Sequence, residues 1–533
     1  MNKFSKLTGA VRTRKVSSGI LTMAVIAAVL VANVVLYYLA GTFSWYIYKA
    51  ETPDLSLSGS TEDFFAEAVE NAKADAELGI ASKVKINFCM AKEDLEQHDP
   101  GKYVHETAVN LAARHPELIE VEYVNIYTYT NSKGEDVDLD KYSKLTVGGE
   151  EVVAPILTTS VIFSYEYLGS ENYKTVTDYV TSSGFSSFFT LDSDLSASAY
   201  NGEEIMAALV SWVLHSEHPT AYVTTGHGEA PTTAFTTMLV CAGYNVELVD
   251  LRAITGEDEL KLNANKNNLL IISNPVTDFG RSNGEVRDEI EKLESYLSRG
   301  GRLYVSIDPY VGEKQMLNLS TLLAKYGIEL SKTVSEDGLS FKNMIYDSSS
   351  SVSPDGLTVV AGYAANDMAS KISAKTEKYG TGKILVREAA AINCKATVYA
   401  TAHPLLVSSS SSALKANGEV VGEDGGYCLA AYSTVKNENG ADGVIYTVSS
   451  AYFASTDVMI TDGYSNKDFI YAVLECVFSA DTPPYGCTPL VYNTTMLEGL
   501  TFGTANLITA LLMIIPAALA VFGAVVIIKR KRR

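Results

Sequence analysis

The 533-residue chain has no GxxxxGKS/T loop, no HExxH pair and no GxSxG or GxCxG turn. The first absence excludes ATP binding through a P-loop. The second removes the common zinc-protease helix, and the third leaves acyl transfer without an obvious nucleophile. Only six cysteines occur, at Cys89, Cys241, Cys394, Cys428, Cys476 and Cys487. None forms a CxxC pair or a metal-type spacing, so neither a disulfide framework nor a thiolate metal site is expected. Cys89 and Cys241 fall inside apolar patterns, as buried small hydrophobes do. Outside the cell, a Cys476–Cys487 bridge remains open to the chain. No internal repeat is present. With 47% hydrophobic residues, wholesale disorder is excluded too.

Long apolar runs are limited to two, Ile20–Ala40 and Leu507–Ile528. That excludes a polytopic membrane protein. Each run spans roughly 30 Å as a helix, the thickness of a bilayer core. The first follows Lys3, Lys6, Arg12, Arg14 and Lys15, and the second precedes five basic residues, Lys529–Arg533. Basic flanks stay on the cytoplasmic side. Both termini are therefore expected inside the cell membrane and the body outside it. The first run is too long for a cleaved signal peptide, and the basic tail argues against a GPI signal. The formal charge of −21 hides an asymmetry. Between the tails, 32 basic residues face 63 acidic ones, a net of −31. Such a body repels nucleic acid and anionic headgroups, so neither is an expected partner.

The interior reads as two α/β units. Val84–Met90 has the pattern of a buried strand, Tyr103–Ala113 of a helix, and Ile119–Tyr129 of a second strand. That order predicts a βαβ unit, and it is similar to a thioredoxin-like fold without the redox motif. From Glu203 a second rhythm begins. Strands are expected at Thr220–Thr225, Tyr244–Leu251, Asn268–Ser273 and Arg302–Ile307. Helices are expected at Glu203–His215, Pro231–Ala242, Glu285–Ser298 and Leu317–Tyr326. The continuous apolar run Asn268–Ser273 fits a parallel strand covered on both faces, hence a doubly wound sheet. Later strands, Tyr427–Ser433 and Gly443–Ser449, are expected at the far edge of the same sheet, followed by a closing helix at Asp468–Phe478. The serine runs Ser348–Ser353 and Ser408–Ser412 read as flexible exposed loops. The 32 tyrosines fit amphipathic strands better than a dedicated binding surface.

The candidate site collects at the carboxyl ends of the predicted parallel strands, where open α/β sheets place ligands. It comprises Gly226, His227, Gly228, Glu229, Asn274, Asp278 and Asp308. The glycines permit a tight turn and close approach. His227 has the chemistry of a general acid/base, with Glu229 and Asp308 as partners. The competing reading has His227 and Glu229 capping the next helix and locking the loop. No metal or other cofactor is expected.

Three stretches together resemble a known family: AYVTTGHGE (Ala221–Glu229), NLLIISNPVTDF (Asn268–Phe279) and EIEKLESYLSRGGRLYVSIDP (Glu289–Pro309). They are similar to the GldG-like family of ABC-transporter auxiliary proteins, as is their order between two membrane runs. The late segment VSSAYFAS (Val448–Ser455) resembles the family's closing strand, with Ala451 and Tyr452 where an acid before the aromatic is usual. The resemblance implies an α/β fold: a thioredoxin-like unit, then a glutamine-amidotransferase-like domain without its catalytic cysteine. The implied layout is a cytoplasmic tail at 1–19, a transmembrane helix at 20–40 and a stalk with a helix at 41–80. The thioredoxin-like unit follows at 81–198 and the amidotransferase-like domain, with inserted loops, at 199–480. A second stalk (481–505), a transmembrane helix (506–528) and a cytoplasmic tail (529–533) complete it. The implied function is a non-catalytic extracytoplasmic subunit, with an ABC-2-type permease and a separate cytoplasmic ATPase as partners. The alternative is a membrane-anchored hydrolase or transferase acting through His227, Glu229 and Asp308.

Overall fold

The computed structural model describes residues 55–491, apart from 81, 148–149, 177–183, 192–196, 230, 255–266, 281–287, 313–315, 423–424, 438–439 and 462. The two apolar runs, both basic tails and parts of both stalks lie outside the described residues. Among the described residues, no helix is long and apolar enough to cross a membrane.

Helix α1 (Ser60–Glu77) opens with Glu62 and Asp63 in its first turn, where the exposed N–H groups favour negative charge. Strand β1 (Val84–Phe88) leads through α2 (Asp99–Arg114) to β2 (Ile119–Asn125), which pairs parallel with β1. This is the expected βαβ unit. Helix α2 forms because Val104, Ala108 and Leu111 recur at helical spacing, and all three are buried. Three further strands, β3 (Thr130–Asn131), β4 (Val161–Tyr167) and β5 (Ser170–Val176), complete a five-stranded sheet ordered β3-β2-β1-β4-β5. Strand β4 runs antiparallel to β1.

Helix α3 (Gly202–Leu214) is apolar on most sides, and nine of its residues are buried. It joins the first sheet to the second in one hydrophobic core, which runs from Phe65 and Val84 through Leu209 to Val223 and Tyr304.

The second sheet begins with β6 (Thr220–Thr224), α4 (Thr233–Cys241), β7 (Asn245–Val249) and β8 (Leu269–Ser273). Helix α5 (Glu289–Ser298), β9 (Arg302–Ser306) and α6 (Leu317–Lys325) follow. Strands β7, β6, β8 and β9 lie side by side and parallel. Leu269 to Ile272 are all fully buried, with Leu269 and Ile271 in one core and Leu270 and Ile272 in the other. The apolar run is continuous because both faces are covered. Each such side chain contributes about 1.5–3 kcal/mol on burial.

The chain then builds β10 (Ile328–Leu330), the hairpin β11 (Lys332–Val334) and β12 (Ser340–Lys342), and β13 (Met344–Tyr346). Next come β14 (Thr358–Tyr363), α7 (Asp367–Tyr379), β15 (Ile384–Arg387), β16 (Ile392–Cys394) and β17 (Ala400–Val407). Strands β18 (Ala413–Ala416), β19 (Glu419–Gly422), β20 (Cys428–Val435) and β21 (Gly443–Val448) precede the closing helix α8 (Asn466–Cys476).

Two expectations need correction here. Strand β21 is central: it pairs parallel with β9, and β20 pairs antiparallel with β21. The far edge is made by the inserted strands β17, β14 and β15. The doubly wound parallel sheet is thus half of a mixed, eleven-stranded sheet. The insertion can extend that sheet because β21 offers it a second edge.

The serine runs are also not loose. Ser351, Ser408 and Ser412 are buried, and the runs converge on the buried carboxylate of Asp347. That carboxylate accepts from Ser349 N (2.9 Å) and Oγ (2.9 Å), Ser350 N (2.8 Å), Ser411 Oγ (3.2 Å), Ser412 Oγ (3.2 Å) and Ser409 Oγ. Burial acts to raise the Asp347 pKa, but these donors outweigh it and hold it at about 2.

Candidate functional site

The chain leaves β6 to form β7 on one side and returns to form β8 on the other. Such a reversal is the topological switch point of an open sheet. The loop after β6, Thr225–Glu229, folds directly over it. Gly226 adopts φ +105°, and a Cβ there would lie 2.3 Å from the Arg252 guanidinium. Gly228 adopts φ +78°, and its Cβ would lie 2.3 Å from Val276 Cγ2. Both positions require glycine.

The turn points His227 inward. Its ring is 4% exposed and stacks on Phe279, with centroids 4.1 Å apart and planes 21° apart. Nε2 lies 3.1 Å from Glu289 Oε2, and Nδ1 faces Glu229 Oε1 at 3.4 Å. The His227 amide donates to Glu229 Oε2 at 2.7 Å. Its carbonyl accepts from Val276 N (2.8 Å) and Thr277 N (3.1 Å). Glu289 Oε2 also accepts from Gly280 N at 2.7 Å.

Burial alone would lower the His227 pKa. Contacts with Glu229 and Glu289 outweigh it and raise the pKa to about 9. Burial acts to raise the Glu229 pKa, and its bonds to His227 and to backbone amides outweigh that and lower it. The two carboxyl groups thus favour the imidazolium form of the ring, in which both nitrogens carry protons. In that form the ring has no lone pair to take a proton. Among the described residues, no group of three or more His, Cys, Asp or Glu side chains is placed to hold a metal ion.

The other candidate residues have separate roles. Asp278 accepts from Asn318 N (2.6 Å) and Leu319 N (3.1 Å), so it caps α6 from a distance. Asn274 has φ +49° and donates through Nδ2 to the Ala451 carbonyl at 3.2 Å, tying the end of β8 to the segment after β21. Asp308 accepts from Tyr310 N at 2.8 Å and shapes the turn after β9. The expected pairing of His227 with Glu229 is present, and the second carboxylate is Glu289, not Asp308. Helix capping by His227 and Glu229 is also corrected: Thr232 caps α4, accepting from Phe235 N at 3.2 Å. His227 and Glu229 do lock their loop.

Sequence reasoning missed Glu289 as a partner. It stands at the first turn of α5, where an acid suits the helix dipole, and that role hides any other.

The open volume lies elsewhere along the same edge. A cleft of about 800 Å3 extends from the segment after β9, between α6 and strands β10 to β13, with Asn417 and Gly418 of the β18–β19 turn on its border.

No family model matches the chain, and no curated protein does. Among solved structures, the N-terminal domain of mmIFT52 is similar at 17% identity and a TM-score of 0.36, over 49% of this chain and 99% of that one. A cytoplasmic protein, STM3548 from Salmonella typhimurium, matches at 9% identity and 0.28, over 48% of this chain and 98% of that one. PurLQS from Thermotoga maritima matches at 13% and 0.26, over 49% and 100%.

Proposed function

We propose that the chain is a non-catalytic, extracytoplasmic auxiliary subunit of an ABC-2-type transporter. It is anchored by a helix at each terminus, docks on the permease, and contacts the exported substrate or the envelope. The ATPase is a separate chain on the cytoplasmic side, in keeping with the missing P-loop. The finer fold reading goes with this. The parallel β1–β2 pair flanked by antiparallel β4 supports a thioredoxin-like unit. The parallel set β7-β6-β8-β9-β21 supports an amidotransferase-like one.

The observation that carries the non-catalytic reading is the enclosure of His227, whose buried ring is covered by Phe279, Glu229 and Glu289 and so is shut off from a substrate. It fills the switch-point crevice itself, as a buried cation between two carboxylates. A base must have a free lone pair near the working pH. A group held at about 9 does not. The cluster holds the loops after β6 and β8 and the first turn of α5 together.

The test is affinity purification of the full chain from detergent-solubilised membranes. A permease and a P-loop ATPase are expected to co-purify in fixed proportion. Recovery of the chain without either, under conditions that keep other transporters intact, would sink the proposal.

A further inference from the structure

We infer that Cys394 and Cys428 form an oxidative modification site: a reversible disulfide that clasps β16 to β20. The inference stands on the placement of the two thiols and not on the transporter reading.

The two residues are 34 positions apart and lie on different strands. Strand β16 meets β20 at the antiparallel pair Ile392 with Cys428. Cys394 stands two residues beyond Ile392, so strand alternation returns it to the same face of the sheet. Ile392, Cys394 and Cys428 accordingly pack against one core. The two Sγ atoms face each other at 3.8 Å, which is contact without a bond. A disulfide has a length of about 2.05 Å. Each sulfur therefore moves by roughly 1 Å to form one, a side-chain rotation and not a new strand pairing.

Both side chains are half-buried. Their contact lowers the Cys394 pKa and raises that of Cys428. The thiolate is the nucleophile in thiol–disulfide exchange, so Cys394 attacks first. The oxidant is the disulfide of a small molecule or of an exchange protein, as oxidising compartments supply. Attack by Cys394 breaks the oxidant's S–S bond, forms a mixed disulfide and expels one thiolate. Cys428 then gives up its proton and attacks Cys394 Sγ, expelling the second thiolate. Two protein thiols become one disulfide. Their two electrons reduce the oxidant to two thiols, which take up the two protons.

The bridge closes a loop that contains β17, β18 and β19. Strand β16 also pairs with β10, and β20 with the central β21. Oxidation thus fastens the inserted segment to the middle of the large sheet and restricts the unfolded chain.

The test uses the full chain, purified reduced in detergent and exposed to glutathione disulfide at neutral pH. After acid quenching and alkylation of free thiols, peptides are mapped by mass spectrometry without reduction. A cross-linked peptide joining Cys394 to Cys428 is expected, and dithiothreitol should remove it. Cys428→Ser should trap glutathione on Cys394, because the second attack is lost. Cys394→Ser should leave Cys428 a free thiol. The oxidised parent should melt several degrees above the reduced one, and neither serine variant should show that difference. Melting of both variants within a few degrees of the reduced parent establishes that they fold. The inference is overturned if the folded parent forms no Cys394–Cys428 link under excess oxidant, if glutathione stays on Cys394 in the parent, or if oxidation brings no rise in melting temperature.

Discussion

Nε2 of His227 lies 3.1 Å from Oε2 of Glu289, 62 positions further along the chain. The contact ties the loop after β6 to the first turn of α5. Glu229 closes on the other ring nitrogen at 3.4 Å. The His227 ring and the two carboxyl groups are thereby buried together, each dependent on the others.

His227→Ala should leave Glu229 and Glu289 buried without their shared cation. Breaking such a group destabilises by about 3–5 kcal/mol. Thermal melting of the full chain should show a large drop, and Glu289→Gln a smaller one. Loss of transporter function at an unchanged melting temperature would falsify the structural role given to His227.

Stability should fall on the alkaline side. The His227 pKa is raised from its ordinary 6.5 to about 9 in the fold. Its contribution is thus complete below about pH 6.5 and disappears as pH rises through 9. Glu229 has a lowered pKa, so its share is present above its ordinary 4.5 and fades as pH falls through the depressed value. The difference in melting temperature between parent and His227→Gln, followed from pH 6 to 10, isolates the first effect. A constant difference across that range would contradict it.

Asp347→Ala should loosen the two serine segments that share its carboxylate. Bonds to a charged acceptor contribute about 1.5–3 kcal/mol each, and part is regained by bonding to water. A net loss on the order of 3 kcal/mol is expected. Hydrogen exchange should quicken at both Ser348–Ser353 and Ser408–Ser412. Quickening at only one would show that the acid does not bridge them.

Asp278→Ala should behave as the loss of a helix cap. The expected destabilisation is about 1 kcal/mol, read from the melting curve, with α6 fraying at Asn318 and Leu319. An unchanged melting curve would remove the capping role.

The cysteines should react in a set order. Cys394 and Cys428 Sγ atoms are 3.8 Å apart, and this contact lowers the Cys394 pKa while raising that of Cys428. Burial pushes the Cys89 pKa up to about 12. Timed alkylation with peptide mapping should find Cys394 modified before Cys428, and Cys89 last of the three. Cys476 and Cys487, the pair singled out from sequence, are both free thiols.

Periodicity made most of the first sheet and the start of the second legible. The helical spacing of Val104, Ala108 and Leu111 and the unbroken Leu269–Ile272 run each allow one kind of burial. Local signals end at α6. Strand β21 resembles any short apolar strand, and no neighbouring residue says that it will pair with β9, more than a hundred positions earlier. The serine runs have loop composition, and only the fold brings Asp347 between them.

The candidate site divides in the same way. Sequence alone determined that GHGE would form a tight turn at a strand end, because only glycine tolerates the backbone angles that the turn needs. It also determined where charge and apolar runs fall along the chain. Only the tertiary structure decided that Glu289 would be the second partner of His227, that Asp278 would cap a helix, and that the open cleft would lie beyond β9. Each of these depends on distances between segments remote in the chain, and such distances are set by packing a whole sheet.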